Sequence, residues 1–169
     1  EPGAGSDLAA LRTRAEPAEG GYRVSGSKIW TTYAHYADWM FALVRTGSTG
    51  KKQEGISFLL IDMQSPGVSV RPIVTIDGLH VVNQVFLEDV LVPADCLVGG
   101  EGKGWTIAKF LLGHERSNIA GVARSKQQLR RLKRIAAAQG LLRDPRFCDQ
   151  MARVEIDLLA LEYSDLRAL

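Results

Sequence analysis

The hydrophobic periodicity of this chain changes at Gly102, and that change constrains the fold more than any other feature of the sequence. Before Gly102, apolar runs of strand length are separated by turn clusters such as Ser65-Pro66-Gly67. After it, apolar residues recur at the three- and four-residue spacing of an amphipathic helix. Turns at intervals of roughly 8 to 12 residues are typical of an all-β sandwich or barrel. We therefore predict an α+β protein, in which an antiparallel β-barrel or orthogonal sandwich precedes helices of an incomplete up-and-down bundle.

The β region opens with a predicted hairpin. Residues 8–15 and a strand at residues 22–25 flank the turn cluster at residues 16–21. We expect a second tight reversal at Gly26-Ser27, followed by a strand at residues 28–32.

The helical region is predicted to hold two helices. The first covers residues 105–139, and Gly140 and Pro145 bracket the break that follows. The domain boundaries are therefore placed at residues 1–104 and 105–169. Because two helices bury their apolar stripes best against each other and against further helices, the second domain is expected to be truncated.

Length and charge exclude several function classes. The chain has 169 residues and a formal net charge of +2, which is too small to indicate nucleic-acid binding. The basic run at residues 124–134 is expected to be mostly a solvated helix face, with contact to an acidic partner or to ligand phosphates as the alternative. No apolar run approaches the roughly 18 residues of a membrane span, and no signal peptide is present, so a cytoplasmic location is expected. The start at Glu1, without an initiator Met, is typical of a fragment.

A metal site is not expected. Cys96 and Cys148 lie far apart without a C-x-x-C pattern, which favours free or buried thiols. His35, His80 and His114 lack metal-ligand spacing and are expected to have surface roles or satisfied core roles.

Two stretches combine residue types that suit a flat aromatic cofactor with a phosphate tail. In Gly3-Ala4-Gly5-Ser6, glycines permit close approach and unusual backbone angles, and the serine hydroxyl adds a donor; a plain turn is the alternative. In Trp30-Thr31-Thr32, strand alternation would place Trp30 and Thr32 on one face. That pair suits a flavin, whereas a core tryptophan beside a β-branched residue is the alternative.

A third candidate is Glu115 in the predicted long helix. It lies on or beside the apolar stripe, and burial would raise its pKa toward the range that a proton-abstracting base needs. A salt bridge or an exposed position is the alternative. The neighbouring Arg116 could equally form an intrahelical ion pair.

The sequence resembles the acyl-CoA dehydrogenase family, whose middle domain carries a similar E-P-G-A-G-S-D loop and G-S-K-x-W-[IT]-T strand at this separation. The resemblance covers most of the chain and is strong to about Arg116. It implies that Trp30 packs on the flavin ring of FAD and that Thr32, next to Thr31, hydrogen-bonds it. It also implies that Gly5 and Ser6 lie near the FAD diphosphate.

The same resemblance implies an oxidoreductase that removes two hydrogens from an acyl-CoA. In some branches the position matching Glu115 provides the base, while others take it from a C-terminal segment that this chain lacks. Arg116 matches an arginine that contacts CoA. An electron-transfer flavoprotein is the implied oxidant in fatty acid β-oxidation. An acyl-CoA oxidase, or a non-catalytic member that binds nucleic acid or protein, is the alternative.

The chain departs from the family pattern after the long helix. Much of the family has an Arg-x-x-Phe-Gly element there, which reaches a neighbouring subunit's FAD. Leu141 lies about where that arginine would fall, with Arg143 and Arg146 nearby. This departure leads us to expect an oligomer with a paralogous subunit, such as a heterotetramer, although a homo-oligomer in which Arg143 or Arg146 substitutes stays open.

Overall fold

Seven strands and three α-helices make up the fold of this computed structural model, which describes residues 1–48 and 50–167, without the side chains of residues 116–119. The strands are β1 (Arg14–Ala18), β2 (Gly21–Thr32), β3 (Trp39–Arg45), β4 (Ile56–Asp62), β5 (Val68–Val74), β6 (His80–Pro93) and β7 (Leu97–Val98). The helices are α1 (Gly104–Ile119), α2 (Val122–Ala138) and α3 (Pro145–Leu166). Single 3-10 turns lie at Leu8–Ala10, Ala94–Cys96 and Leu141–Arg143.

The strands form one mixed sheet in the order β5-β6-β2-β1-β3-β4-β7. Neighbours pair antiparallel, except that β1 meets β3 in parallel at Arg14 and Arg45. The predicted α+β class is confirmed. Over the described residues, however, the sheet is not closed into a barrel, and β5 and β7 are its edge strands.

The long pair of β2 and β6 lies inside this sheet and contains two register shifts. At the first, Val24 pairs with Val90 but Gly26 pairs with Leu87, so that β6 has one extra residue. Alternate residues of β6 are buried on both sides of this bulge. The extra residue therefore keeps the buried side chains of β6 on the core-facing side of the sheet. A hairpin of β1 and β2 is present as predicted, but its first strand is Arg14–Ala18 instead of residues 8–15, and its turn is confined to residues 19–20. The reversal expected at Gly26-Ser27 is wrong: β2 continues through these residues, and the glycine marks a bulge instead of a turn.

The main core consists of buried aliphatic side chains from β2, β3, β4 and β6. Its members with no exposed surface are Val24, Val44, Leu59, Ile61, Val85 and Val90. A smaller cluster joins the N-terminal segment to the same sheet, where Ala4 and Leu11 pack with Ile56 and the half-buried Trp105. The apolar runs that identify β3 and β4 in the sequence are therefore the centre of the packing.

The helical part differs from the predicted single long helix. A break at Ala120 and Gly121 separates α1 from α2, and Gly121 adopts a left-handed conformation with φ 58°. Asp144 caps α3 by accepting a hydrogen bond from the Arg146 backbone N–H at 2.9 Å, and Pro145 follows it at the first helical position. No helix in the described part of the chain is long and apolar enough to cross a membrane.

The chain divides into two compact units, Glu1–Lys109 and Phe110–Leu169. In the second unit, two basic residues of α2 pair across to α3. Lys126 bonds to Glu162, and Lys133 bonds to Glu155 at 2.6 Å. Part of the basic run is therefore engaged in helix packing.

The loop between β3 and β4 offers a matched test of backbone packing. A Cβ atom on Gly55 would lie 1.8 Å from the Gly47 carbonyl oxygen, whereas one on Gly47 would meet its nearest atom at an ordinary 3.7 Å. We expect Gly55→Ala to lower the free energy of unfolding by about 1–3 kcal/mol, the usual cost of overpacking. Gly47→Ala should change it by less than about 0.5 kcal/mol. Urea unfolding followed by circular dichroism measures both, and equal effects would contradict this packing.

Candidate functional site

A buried ion pair holds the N-terminal loop against the sheet. The Glu1 carboxylate accepts hydrogen bonds from the backbone N–H groups of Arg12 at 2.6 Å and Thr13 at 3.1 Å. It also accepts a hydrogen bond at 2.6 Å from Nζ of Lys28 on β2, and this ammonium donates in turn to the Leu43 carbonyl of β3 at 2.6 Å. The side chains of Glu1 and Lys28 are 8% and 16% exposed. The loop, β2 and β3 are thereby joined at one point.

The two partners respond differently to burial. Burial by itself would raise the pKa of the Glu1 carboxyl, but the hydrogen bonds from Lys28, Thr13 and Arg12 outweigh it and lower the pKa to about 2. For Lys28, burial lowers the pKa and outweighs the opposing effect of Glu1. The difference arises because Thr13 and Arg12 add hydrogen bonds to the carboxylate, whereas only Glu1 opposes the effect of burial on Lys28.

The loop that follows Glu1 is open. Ala4 is buried, while Gly3, Gly5 and Ser6 are exposed. A Cβ atom on either glycine would meet nothing within 4 Å, and neither glycine has a positive φ. The two glycines therefore do not use the positive-φ conformations that the lack of a Cβ atom permits. The space over both glycines remains available for close approach by a ligand.

The second register shift of β2 lies at Trp30. Lys28 pairs with Val85 and Thr31 with Asn83, so that β2 has an extra residue, and Trp30 takes a left-handed φ of 64°. Tyr33 has a φ of 55°. A backbone strained by roughly 1–3 kcal/mol per residue is common at functional sites. Trp30 is 61% exposed, so it is not a core side chain in the described structure.

A cavity of about 360 Å³ lies beside this bulge. Its polar wall comes from Glu1, Lys28, Thr31 and Thr32. Its apolar wall consists of Ala4, Leu8, Leu11, Ala34, Ala37, Trp39, Met40, Phe41, Ala42, Leu43 and Met63. The Phe41 ring stacks on Phe58 at 5.3 Å between centroids. This cavity combines apolar and aromatic surface, two hydroxyls and a buried charge pair.

The structure brings together part of the predicted site. Thr31 and Thr32 both line the cavity. They lie beyond the register shift, where they pair in regular order with Asn83 and Val82. Trp30, Gly5 and Ser6 are described residues that do not belong to its wall. Their predicted roles in cofactor binding stay predictions.

The predicted base and its neighbour lie in the other unit. Glu115 is on the part of α1 that belongs to Phe110–Leu169, and it is exposed. Leu111 and Leu112 beside it are also about half exposed, at 44% and 48%. Of the alternatives left open from the sequence, the described residues correspond to the exposed position of Glu115. The Arg116 side chain lies outside the described residues.

Sequence reasoning did not predict the buried ion pair of Glu1 and Lys28. A charged residue at the centre of a strand, between Ser27 and Ile29, was the available signal, because a buried lysine needs an anionic partner. It also missed Asn83, which is fully buried on β6. Within the described part of the chain, no group of three His, Cys, Asp or Glu side chains could hold a metal ion.

Comparison with known proteins finds a family match over the residues that form this site. The family model described as "Acyl-CoA dehydrogenase, middle domain" matches residues 1–90, which include the loop, the bulge and the buried ion pair. The chain belongs to the acyl-CoA dehydrogenase family. This family is one of flavin-dependent oxidoreductases, so the resemblance stated from sequence is confirmed.

Relatives of this family member include two proteins of Mycobacterium tuberculosis. Acyl-CoA dehydrogenase FadE34 is 46% identical over 120 residues, which are 71% of this chain and 17% of that protein. Acyl-CoA dehydrogenase IpdE1 is 37% identical over 163 residues, which are 95% of this chain and 42% of that protein. The chain therefore spans less than half the length of these relatives.

Solved structures agree with this assignment. The Tcur3481-Tcur3483 steroid ACAD matches with a TM-score of 0.85 and 32% identity, over 99% of this chain and 44% of that one. The ChsE4-ChsE5 complex from Mycobacterium tuberculosis matches with a TM-score of 0.83 and 32% identity, over 99% of this chain and 45% of that one.

The pKa of Glu1 predicts an acid-sensitive fold. Between about pH 4.5 and 2 the unfolded chain binds a proton that the native carboxylate does not bind, so stability is lost as the pH falls through this window. We expect Glu1→Gln to remove this pH dependence, which amounts to at most about 3 kcal/mol. Urea unfolding at a series of pH values measures it.

The control is Glu16→Gln, which changes a carboxylate that is 67% exposed and salt-bridged only at the surface. Its profile should match that of the unsubstituted protein. The assignment is wrong if Glu1→Gln loses stability over the same window as steeply as the unsubstituted protein does.

Proposed function

We propose that the protein containing this chain is an FAD-dependent acyl-CoA dehydrogenase, which converts an acyl-CoA thioester to a 2,3-enoyl-CoA. The observation that carries the proposal is the exposed Trp30, held in a strained conformation on a bulge beside Thr31 and Thr32. An exposed tryptophan on a strained backbone gains little for folding, so its position is best explained by a ligand.

The residues present fit a flavin. Trp30 supplies an aromatic face for the ring system, and Thr32 supplies a hydroxyl one residue beyond Thr31. The open loop at Gly5 and Ser6 lets a diphosphate approach backbone N–H groups closely. When bound, FAD supplies a hydride acceptor for the β-carbon of the substrate.

A carboxylate of this chain is proposed as the base that accepts the substrate proton. In the proposed reaction, an oxygen of Glu115 removes the α-proton of the thioester, and Arg116 binds the CoA portion. The exposed position of Glu115 on α1 keeps its carboxylate available to a substrate.

The visible spectrum of the full-length protein tests cofactor and chemistry together. We expect flavin absorption bands that bleach under anaerobic conditions when an acyl-CoA is added. Because one structural relative is named a steroid ACAD, the panel should include ring-bearing as well as straight-chain acyl thioesters. A protein without flavin bands, or bands that no thioester bleaches, would contradict the proposal.

Substituting Glu115 completes this test. Glu115→Gln should lower turnover by about 10³-fold while flavin content stays unchanged, since a general base is lost and the fold is kept. Steady production of peroxide in air would identify the oxidase on this scaffold. Full function after Glu115→Gln, together with binding to nucleic acid that weakens steeply with salt, would instead support the non-catalytic alternative.

We further propose a heteromeric assembly, with electron-transfer flavoprotein as the oxidant. Leu141 lies in the 3-10 turn Leu141–Arg143 and is 41% exposed, where much of the family has an arginine for a neighbouring subunit's FAD. Two structural relatives are named as pairs of different proteins, Tcur3481-Tcur3483 and ChsE4-ChsE5. A partner chain that carries the arginine would complete the site.

Counting flavins tests this assembly. Co-expression of the full-length protein with its neighbouring paralogue should give a mixed oligomer with fewer flavins than subunits of both kinds together. Leu141→Arg should raise the flavin content of the protein purified alone. A homo-oligomer that already holds one FAD for each copy would disprove the heteromer.

A further inference from the structure

Asn83 is a fully buried polar side chain on β6 that connects three parts of the first unit. Its Nδ2 donates a hydrogen bond to the Thr31 carbonyl oxygen at 3.1 Å. The same nitrogen lies 3.0 Å from Nδ1 of His35, and Oδ1 lies 2.7 Å from Nε2 of His80. The buried amide thus has a partner for each of its polar atoms.

These contacts have one consistent arrangement of protons. A carbonyl oxygen can only accept, so the amide nitrogen must face Thr31. Its second hydrogen then points at Nδ1 of His35, which must carry no proton in order to accept it. The amide oxygen accepts in turn from Nε2–H of His80. Each partner therefore fixes the orientation of the Asn83 amide.

Stacking holds the two imidazoles in place. The rings of His35 and His80 lie 4.0 Å apart between centroids with an angle of 24°, and Tyr36 packs 4.0 Å from His35 on a tilted ring. The stacking limits the movement of the two imidazoles and thereby of the amide that is hydrogen-bonded to both.

The hydrogen bond from Asn83 to Thr31 lies at the first residue of β2 that pairs with β6 after the register shift. Thr31 pairs with Asn83 immediately after the bulge, and Tyr33 N–H donates to the Val81 carbonyl at 2.8 Å. The residues with positive φ in this segment, Trp30 and Tyr33, lie on either side of Thr31–Thr32. A strained conformation persists only where its surroundings hold it. The Asn83 amide provides such a constraint from within the sheet.

We propose that Asn83, oriented by His35 and His80, is a positioning residue that holds the Trp30–Thr32 bulge in the conformation that binds the flavin ring. This inference rests on the proposed function, because it takes the bulge as one wall of the cofactor site. Asn83 acts through Thr31, and the two histidines act through Asn83.

The test compares two buried substitutions on β6 in the full-length protein. Asn83→Leu keeps the volume but removes all three hydrogen bonds, whereas Val90→Ala removes buried contacts at a fully buried position that pairs with Val24, beyond the other bulge. We expect Asn83→Leu to weaken FAD binding at least about ten-fold, the effect of one buried hydrogen bond, and to shift the flavin absorption bands. Val90→Ala should lower the melting temperature and leave both the FAD affinity and the spectrum unchanged.

Two further variants keep the test decisive if Asn83→Leu fails to fold. His35→Asn retains an oxygen that can replace Nδ1 as the acceptor, whereas His35→Leu does not. We expect His35→Asn to bind FAD normally and His35→Leu to bind it more weakly. Equal FAD affinity and spectra in these two variants would overturn the inference.

The outcomes separate this inference from the proposed function. If the unsubstituted protein binds no flavin, the proposed function fails and the inference fails with it. If the unsubstituted protein binds flavin and Asn83→Leu binds it equally well, or if Val90→Ala weakens binding to the same degree, only the positioning role fails.

Discussion

The hydrogen-bonded pair of Glu1 and Lys28 is the contact on which the candidate site depends. Burying two opposite charges costs the free energy of their hydration. Their attraction offsets this cost only where further hydrogen bonds satisfy the remaining donors and acceptors. Here the carboxylate has two backbone donors besides Lys28, and Lys28 has the Leu43 carbonyl as a further acceptor. The pair therefore stabilises one placement of the N-terminal loop against β2 and β3, and the cavity is bounded by that placement.

The two bulges between β2 and β6 have different consequences. The bulge near Gly26 keeps the aliphatic side chains of β6 directed into the core, and it serves the packing of the sheet. The bulge at Trp30 instead exposes a large aromatic side chain and strains its backbone. The bulge that improves burial needs no ligand, whereas the strained and exposed bulge at Trp30 supports the proposal of a bound ligand there.

The sequence predicts the parts of this fold that local pattern determines, and it misses those set by distant partners. Strand-length runs, the first hairpin and the change of period at Gly102 follow from spacing within a few residues. The continuation of β2 through Gly26 and the bulge at Trp30 depend on the register against β6, which lies more than 50 residues away. The helix break at Gly121 was not predicted, because the helical spacing of apolar residues continues from Ile119 to Val122 across it. Glu115 shows the same limit, since its burial depends on residues outside its own helix.

The charges around the cavity determine where a base can come from. Glu1 is the carboxylate among the described residues of the cavity wall, and its pKa of about 2 makes it a weak proton acceptor at neutral pH. Three donors already occupy its oxygens, so accepting a proton would cost it the ion pair with Lys28. The threonine hydroxyls are not bases without a partner that removes their protons. Under the proposed function, the first unit holds and orients the ring system, and the proton is abstracted by a carboxylate outside the cavity wall, the role proposed for Glu115.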